Sequence, residues 1–481
     1  MRSNTFFERI NALGTQFGNK KFIEQHETGK STSFLRILDR IRSFEKDRFD
    51  NREVVFLEMH NTINTVEIFL ALISNNIIPI LIKKNFPKSE LRRISELLNV
   101  EKLIVPDSEQ GSISKLPNIT NKPVQDLPLE LAYLVFTSGT SGEPKGIQIS
   151  YSNIISETEM MISAYRLSEN DRHLCVLPIF HASGLYRNVL MAYFSGASTV
   201  IVDNFNSIDL WNLIEKTNTS FCQITPTIMR SLLDAANSNY ERSESLRFLG
   251  SASAPHPEAL VKDFESTFGC SVLVGYGMTE ATCGITLNAD IPRKNYSVGK
   301  VINGIDLKLL DENGKEVDVA EQGEVTISGP NLMINYLGIE EEDKIRMNDR
   351  VLYTGDIGVY DEEGYLTLVG RKNDIVKRGS YRLNLTAIEK IIGGFSFIKE
   401  CAVIDIPNRF LGSDIVAMVV LNKNESMNSN NIIKFAKDHI SPNMMPSEFL
   451  VIESIPKISN LKIDKKLLKK KYSEIKNEQR R

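Results

Sequence analysis

The chain has 481 residues, of which 42% are hydrophobic and 25% are charged, and this is the ordinary composition of a large globular protein. At about 150 residues per domain, the length suggests roughly three folding units. Its 28 glycines and 17 prolines are too few for a collagen-like or low-complexity chain. The net charge of −4 does not indicate a dedicated nucleic-acid binder.

The cysteines and the N-terminal segment indicate a cytoplasmic protein. The 5 cysteines are widely spaced and include no C-x-x-C pair, so neither a zinc ribbon nor a redox motif is expected. Scattered thiols are typical of a reducing compartment. Met1–Lys21 lacks the apolar core of a signal peptide. The most apolar stretch, Ile68–Ile82, is interrupted by polar residues and is too short to cross a bilayer, so no membrane partner is expected.

The first part of the chain alternates predicted strands and helices. Val54–Leu57 and Ile77–Ile82 have the apolar, β-branched composition of buried strands, and Asn64–Ile73 between them has helical spacing. A strand–helix–strand unit favours a parallel sheet with covered faces. The same reasoning predicts strands at Leu103–Val105, Ala197–Val202 and Phe221–Ile224, and a helix at Ile208–Lys216. We therefore expect a layered α/β body.

After about residue 300 the predicted strands become short and are separated by polar turns. These strands are Asp306–Asp311, Gly323–Ser328 and Tyr365–Val369. Beyond Arg371, two strands and one helix predict a compact unit, and they are Cys401–Ile406, Ile415–Leu421 and Asn431–His439. Lys423–Asn431 is polar and predicts a loop, and the basic tail, Lys457–Arg481, predicts a solvated helix face.

The segment Leu134–Gly146 has the residue types that bind a polyphosphate. An apolar strand runs into a loop of glycines and hydroxyl residues with one lysine, Lys145. Glycines let the backbone approach phosphates closely, and hydroxyl and backbone N–H groups donate to phosphate oxygens. The loop is not the G-x-x-x-x-G-K-[ST] type, because Pro144 precedes the lysine and Gly146 stands where Ser or Thr is required.

Residues 137–146 read T-S-G-T-S-G-E-P-K-G and resemble the T-S-G-[ST]-[ST]-G-x-P-K-G signature of the adenylate-forming superfamily. That superfamily includes acyl- and aryl-CoA synthetases, carrier-loading adenylation domains and luciferases. Its members join a carboxylic acid to AMP with release of pyrophosphate, and most then pass the acyl group to a thiol. The resemblance implies that ATP is bound by Thr137, Ser138, Gly139, Thr140, Ser141, Gly142 and Lys145.

Leu177–Gly184 resembles the Leu-Pro-x-Phe-His-x-x-Gly stretch of acyl-CoA synthetases. The resemblance gives His181 a place beside the acyl pocket and the route of the thiol. Relatives that activate α-amino acids usually carry an aspartate at this position, where it pairs with the substrate ammonium group. The histidine therefore argues against an α-amino acid substrate.

Two further segments resemble the adenine-binding parts of the family. Gly250–Pro255 resembles the small-residue loop that lies against the base, which implies contacts from Ser253, Ala254 and Pro255. Gly275–Glu280 reads G-Y-G-M-T-E and implies base contacts from Gly275, Tyr276 and Gly277. In the family, the next threonine contacts the α-phosphate or the acyl carboxylate and the glutamate binds Mg²⁺. Those roles fall on Thr279 and Glu280, and carboxylate and phosphate oxygens are what Mg²⁺ prefers.

The remaining resemblances lie nearer the C-terminus. Tyr353–Asp356 implies that Asp356 binds both ribose hydroxyls, and Gly370–Lys377 implies a nucleotide contact from Arg371 and a hinge at Asn373. The segment 456–464 reads P-K-I-S-N-L-K-I-D and resembles P-x-x-x-N-G-K-[VI]-D, whose lysine, Lys462 here, assists adenylation. Leu461 replaces the usual glycine of this segment.

The resemblance implies an α/β fold with a large N-terminal body, residues 1–370, and a small mobile α+β domain, residues 371–481. The body would contain layered α/β subdomains and a β-rich subdomain. The expected cofactors and co-substrates are ATP, Mg²⁺ and CoA. The expected partner is a small carboxylic acid bound near His181, Tyr186, Thr225–Ile228 and Thr282–Ile285, whose apolar and hydroxyl neighbours suit an acyl or aryl group.

Other functions remain open from the sequence. Lys377–Leu385 lacks the proline that many CoA ligases carry and resembles the carrier-loading pattern, so the phosphopantetheine arm of an acyl or peptidyl carrier protein is an alternative acceptor. A non-catalytic nucleotide-binding relative is a second alternative, because Leu461 and Asn373 depart from the family pattern. No feature favours a luciferase-like oxidase.

Overall fold

The structure is a computed structural model that describes residues 3–116, 127–138, 144–236, 243–289, 297–337, 347–348, 350–372, 375–378, 381–422, 425–457 and 463–479. The chain divides into two compact units. The first unit is Met1–His256, Leu260–Leu307 and Ile327–Leu352. The second is Pro257–Ala259, Lys308–Thr326 and Tyr353–Arg481.

The described helices are, in chain order, α1 Ser3–Phe17, α2 Phe34–Arg42, α3 Ile63–Ser74, α4 Lys88–Leu98, α5 Tyr151–Tyr165, α6 Ala182–Gly184, α7 Met191–Ser195, α8 Leu210–Thr217, α9 Pro226–Asp234, α10 Glu258–Phe268, α11 Leu385–Gly393, α12 Ser429–Ala436 and α13 Lys465–Gln479. A π-helical turn, Leu185–Leu190, joins α6 to α7. Short 3-10 turns occur at Lys46–Arg48, Ser207–Asp209 and Thr279–Ala281.

The described strands are β1 Lys21–Gln25, β2 Ser31–Ser33, β3 Val54–Met59, β4 Ile78–Lys83, β5 Lys102–Val105, β6 Ser112–Lys115, β7 Leu131–Ser138, β8 Pro144–Ser150, β9 Arg172–Cys175, β10 Ser198–Ile201, β11 Phe221–Ile224, β12 Phe248–Ser251, β13 Val272–Tyr276, β14 Thr286–Asn288, β15 Lys300–Val301, β16 Asp306–Leu310, β17 Gly323–Ser328, β18 Tyr336–Leu337, β19 Met347–Asn348, β20 Val351–Tyr360, β21 Leu366–Arg371, β22 Ile375–Arg378, β23 Tyr381–Asn384, β24 Ile398–Asn408, β25 Gly412–Leu421 and β26 Glu448–Val451. The predicted mixed α/β architecture is confirmed.

Two layered sheets form the first unit. One runs in the order β15-β14-β13-β12-β11-β9-β10-β1-β2, and the other runs β18-β8-β7-β4-β3-β5-β6. The predicted strand–helix–strand unit is present as β3, α3 and β4, with β3 and β4 parallel. Helix α3 is buried over most of its length, from Thr65 to Ile73, because it packs between layers and its sequence is apolar on all sides.

Polar residues at the ends of strands begin the helices that carry the candidate site. Ser150 follows β8 and caps α5: its hydroxyl accepts from the backbone N–H of Asn153, whose side chain accepts from the N–H of Ser150 in return. Thr225 follows β11 and caps α9 through the N–H of Ile228. Each of these helices therefore begins directly after a strand, α5 after β8 of one sheet and α9 after β11 of the other.

The second unit contains a sheet in the order β23-β22-β25-β24, with β26 also paired to β25. Another sheet runs β16-β17-β20-β19, with β21 paired to β20. Helix α12 begins at Ser429, two residues before the predicted start, because the side chain of Asn428 accepts from the N–H of Asn431. The predicted loop therefore ends earlier than the sequence indicated.

The basic C-terminal helix packs against its unit on one side. Leu468 is fully buried in an apolar cluster with strands β24 and β25. Lys465, Lys469 and Lys476 form ion pairs with acidic residues of the same unit, Glu389, Asp405 and Glu448. The predicted solvated helix face is present, with Lys466 and Lys470 exposed, and part of the positive charge of the helix is balanced by these ion pairs. Among the described residues, no helix has the length and apolar character that crossing a membrane requires.

Candidate active site

The phosphate-loop motif lies on a β-hairpin of the first unit. Strands β7 and β8 pair antiparallel, with Thr137 opposite Lys145 and Ser138 opposite Pro144. The side chain of Lys145 is buried. Gly139, Thr140, Ser141 and Gly142 lie outside the described residues. The hairpin therefore holds the predicted lysine at a fixed position beside the loop.

Tyr336 connects the lysine of this hairpin with the acid of a distant motif. It lies on β18, which pairs with β8 and places Tyr336 opposite Ile147. The Lys145 Nζ lies 5.6 Å from the centroid of the Tyr336 ring. The Tyr336 hydroxyl donates to Glu280 Oε1 at 2.9 Å. Two sequence-predicted site residues thus flank one tyrosine, which the sequence analysis missed because no motif pointed to it.

The loop after β13 turns tightly. A Cβ atom at Gly277 would lie 1.8 Å from the carbonyl oxygen of Cys283, so only glycine fits there. Thr279 and Glu280 follow in a 3-10 turn, and Thr282 has a φ of 62°, which is strained for a β-branched residue. Such strain persists only where the surroundings hold the backbone in place.

A clamp of buried polar residues provides that restraint. The Asn331 Nδ2 donates to Ala281 O at 3.1 Å, Gly284 O at 3.2 Å and a Glu157 carboxylate oxygen at 3.0 Å. Thr282 Oγ1 donates to Asn331 O at 2.6 Å, and the Gly284 N–H donates to the other Glu157 oxygen at 2.6 Å. These contacts fix the backbone that carries Thr279 and Glu280.

Glu157, on α5, has a carboxyl group that is fully buried in the protein. Burial raises the pKa of its carboxyl to about 7, although the bonds from Gly284 and Asn331 and the charge of Arg187 oppose that rise. Neither Glu157 nor Asn331 was predicted from the sequence, because no motif contains them. Glu157 stands in the polar run Ser156–Glu159, which is typical of an exposed helix face.

His181 and the small-residue loop are brought together. His181 precedes α6, and its ring centroid lies 4.0 Å from that of Phe180. Two residues later, Ser183 Oγ lies 3.2 Å from Ser253 Oγ. Ser253 has a φ of 78°, and it is exposed together with Ala254 and Pro255. The predicted acyl-pocket motif and the predicted adenine loop are therefore adjacent.

The hydroxyls expected beside the acid already bond to the protein. The Tyr186 hydroxyl is fully buried and lies 2.8 Å from the Tyr133 hydroxyl. Thr225 caps α9, and Thr282 donates to Asn331. These hydroxyls therefore support the local structure, and the chemistry available to an acid must come from other groups.

Asp356 and Arg371 lie in the second unit and pair with each other. They are opposite residues of β20 and β21, and Arg371 Nε donates to Asp356 Oδ1 at 3.0 Å. Asp356 is buried, whereas Arg371 is largely exposed. The two residues predicted to bind the nucleotide are thus side by side.

The predicted hinge residue, Asn373, and the predicted adenylation lysine, Lys462, lie outside the described residues. The base of the segment that contains Lys462 is described: Lys457 and Ile463 form an antiparallel bridge. The Asp464 N–H also donates to Pro456 O at 2.9 Å. The described residues on the two sides of this segment are therefore paired with each other.

Glu280 is the residue that could hold the predicted metal ion. Among the residues that the structure describes, no group of three or more His, Cys, Asp or Glu side chains could form a metal cage. Mg²⁺ characteristically keeps several waters and binds through one or two carboxylates together with substrate phosphates. A single glutamate beside the phosphate-loop lysine fits that donor set.

Solved structures with the same fold include the ATP-bound MatB from Rhodopseudomonas palustris. The match has a TM-score of 0.86 at 22% identity and covers 99% of this chain and 100% of that one. Among curated proteins, a probable CoA ligase, CCL9, of Humulus lupulus is 28% identical over 367 residues, 75% of this chain and 69% of that protein. An oxalate–CoA ligase of Arabidopsis thaliana is 29% identical over 353 residues, 72% of this chain and 68% of that protein.

Family models cover most of the chain. The model described as AMP-binding enzyme matches residues 47–337, which is more than half of the sequence. The model described as AMP-binding enzyme C-terminal domain matches residues 387–462. The ordered motifs, the fold and these matches agree, and the chain belongs to the AMP-binding enzymes, the adenylate-forming superfamily, as an AMP-forming acid–thiol ligase.

Proposed function

We propose that the protein joins a carboxylic acid to CoA in two steps. In the first, the carboxylate of the acid attacks the α-phosphorus of ATP, which gives an acyl-adenylate and pyrophosphate. In the second, the CoA thiolate attacks the acyl carbon, the C–O bond to AMP breaks, and acyl-CoA and AMP leave. The observation that carries the proposal is the position of Lys145 and Glu280 on two sides of Tyr336, where a polyphosphate would meet a cation and a carboxylate.

The residues have distinct parts in the first step. The β7–β8 hairpin and Lys145 bind the phosphates, and Tyr276 stacks on the base. Asp356 binds the ribose hydroxyls and Arg371 contacts the nucleotide. Lys462 stabilises the charge that builds on the α-phosphate oxygens. Glu280 would hold Mg²⁺ together with the substrate phosphates, and the ion would supply positive charge that neutralises the departing pyrophosphate.

The acid is an acyl or aryl acid rather than an α-amino acid, because His181 occupies the position of an ammonium-binding aspartate. The proposal includes a body of residues 1–370 and a small domain of residues 371–481 that moves about a hinge at Asn373. Such hinge motion lets one active site serve two steps in turn. Free thiols among the described cysteines are in keeping with a cytoplasmic location.

Acid-dependent exchange of labelled pyrophosphate into ATP tests the first step. Exchange is expected with at least one member of a panel of alkyl, aryl and dicarboxylic acids. ATP binding without exchange across the whole panel would refute the ligase proposal and favour a non-catalytic nucleotide-binding protein.

The acceptor needs a separate experiment, because CoA and a carrier protein present the same phosphopantetheine thiol. With the acid identified, thioester formation is measured with CoA and with a phosphopantetheinylated carrier protein. CoA is expected to be the better acceptor. Transfer only to the carrier would refute the CoA assignment and support the carrier-loading alternative, which the sequence of Lys377–Leu385 favours.

A further inference from the structure

Gln223, Asn188 and Arg187 are buried polar side chains with atoms that have no hydrogen-bond partner in the described part of the chain. Gln223 and Asn188 are fully buried, and Arg187 is 1% exposed. Within the described part of the chain, neither amide atom of Gln223 or of Asn188 has a hydrogen-bond partner, and neither does Arg187 Nε. Unsatisfied buried polar groups are destabilising, so several together point to a binding partner that the protein itself does not supply.

Gln223 and the guanidinium of Arg187 lie on one face of the sheet that contains β11. Gln223 projects to the same side as Phe221, because alternate residues of a strand face the same way. The Phe221 ring lies 5.3 Å from the ring of Tyr165, whose hydroxyl accepts from the guanidinium of Arg187. Asn188 follows Arg187 in the π-helical turn, a form of helix that often occurs at functional sites.

Glycines provide the space that these groups occupy. A Cβ atom at Gly250 would lie 2.2 Å from Gln223 Oε1, so in its present position the amide lies against the open face of the glycine. At Gly284 a Cβ atom would lie 3.2 Å from one terminal nitrogen of Arg187, and at Gly275 the corresponding distance is 3.8 Å. The guanidinium therefore lies directly behind the segment that begins the adenine-binding motif and the loop that follows it.

The charge of Arg187 lacks a close counter-charge. In the described residues no carboxylate lies within ion-pair distance of its guanidinium, and its neighbours at bonding distance are the Tyr165 hydroxyl and the Cys283 thiol. Glu157 interacts with it only at longer range, and the carboxylate of Glu157 already accepts from Gly284 and Asn331. A buried cation without a paired anion destabilises the folded protein, because its desolvation is not compensated. A ligand carboxylate bound to the guanidinium would compensate for that desolvation.

We infer that the acid substrate carries a second anionic group at its far end, and that Arg187 binds this group with the amide of Gln223. The inference rests on the proposed function, since the reacting carboxylate must lie near Thr279. The substrate class is then a short dicarboxylic acid, and the distal subsite rejects acids that end in a methyl or phenyl group. Arg187 and Gln223 are the residues that determine this specificity.

Pyrophosphate exchange with length-matched acids tests the inference on the full-length enzyme. Succinate and glutarate are compared with butyrate and valerate, and terephthalate with benzoate. The dicarboxylic member of a pair is expected to have the higher kcat/KM. Preference for the monocarboxylic members would overturn the inference but leave the ligase proposal intact. Exchange with no acid at all would refute both.

Variants identify the residue responsible. Arg187→Met is expected to lower kcat/KM for the dicarboxylic acids by about 10- to 100-fold. The monocarboxylic acids should lose little, because only the dicarboxylic acids make the charge-assisted hydrogen bond that the variant removes. Arg187→Lys should restore part of the dicarboxylate preference. The matched control is Arg92→Met, which makes the same change at an arginine whose side chain is 76% exposed.

Equal losses for both acid classes in a folded Arg187→Met enzyme, with an unchanged melting temperature, would mean a purely structural arginine and would overturn the inference. If Arg187→Met does not fold, Gln223→Leu replaces it as the test, since it removes the unpaired amide at similar volume. Gln223→Leu is expected to lower the dicarboxylate preference in the same direction. A preference equal to that of the unmodified enzyme would contradict the subsite.

Discussion

Glu157 is a buried acid whose titration should change the stability of the protein as the pH rises through about 7. Its pKa is raised from 4.5 to about 7, chiefly by burial. The folded protein therefore keeps the proton at pH values where the unfolded chain has released it. The stabilisation is complete below pH 4.5 and is lost as the pH rises through the folded pKa.

The magnitude follows from the two pKa values. Their difference corresponds to about 3 kcal/mol at 1.36 kcal/mol per pH unit, which is a large part of the stability of a typical domain. Arg187 is the charged group that faces Glu157 and opposes the shift. The other facing titratable groups stay neutral over this range because burial raises their pKa values, and they are Cys283, Tyr133, Tyr165 and Tyr186.

Glu157→Gln removes the titration while it keeps one carbonyl oxygen as an acceptor. Urea unfolding followed by circular dichroism, from about pH 5 to about pH 8, should show the free energy of unfolding of the variant rising relative to the wild type by about 2.5 kcal/mol, which is most of the full difference. Glu159→Gln is the matched control, since it removes an exposed carboxylate from the same helix. A constant difference between the Glu157→Gln and wild-type curves across this range would refute the reasoning.

Three further predictions concern the active site. Tyr336→Phe removes the hydrogen bond to Glu280 but keeps the ring. Pyrophosphate exchange should therefore fall about 10-fold and require a higher Mg²⁺ concentration. An unchanged Mg²⁺ dependence would contradict this prediction. Gly277→Ala places a Cβ atom against Cys283 O and should lower exchange about 100-fold or more in a folded protein; near-wild-type exchange would show that the loop can move. Lys462→Ala should slow acyl-adenylate formation about 100- to 1000-fold but leave thioester formation from supplied acyl-adenylate nearly intact. Equal losses of rate in the two steps would refute a role of the lysine that is confined to adenylation.

Much of the local structure could be predicted because it depends on residues close together in the sequence. The strand Phe221–Ile224 has the predicted bounds, and β3, α3 and β4 form the predicted parallel unit. Errors occurred at element ends, as at Ser429, where one capping side chain decided the first helical residue. Apolar periodicity specifies an element, whereas its ends depend on a single hydrogen bond.

The tertiary structure decided which of the predicted residues could act together. Lys145 and Glu280 are on separate elements, and only the pairing of β18 with β8 places Tyr336 beside both of them. Glu157 and Asn331 likewise meet only because α5 and the chain after β17 pack on the same loop. A single sequence carries no signal for such contacts, because the partners are far apart along the chain.

The sequence by itself determined the order of the nucleotide-binding motifs and the alternation of strands and helices, because both are patterns of neighbouring residues. It also indicated an apolar setting for the acid, based on the side chains nearest His181. Only the folded chain revealed the buried guanidinium of Arg187 behind Gly275 and Gly284. Burial removes a charge from water, and that physical effect arises from packing between distant segments rather than from the residues on either side of the arginine.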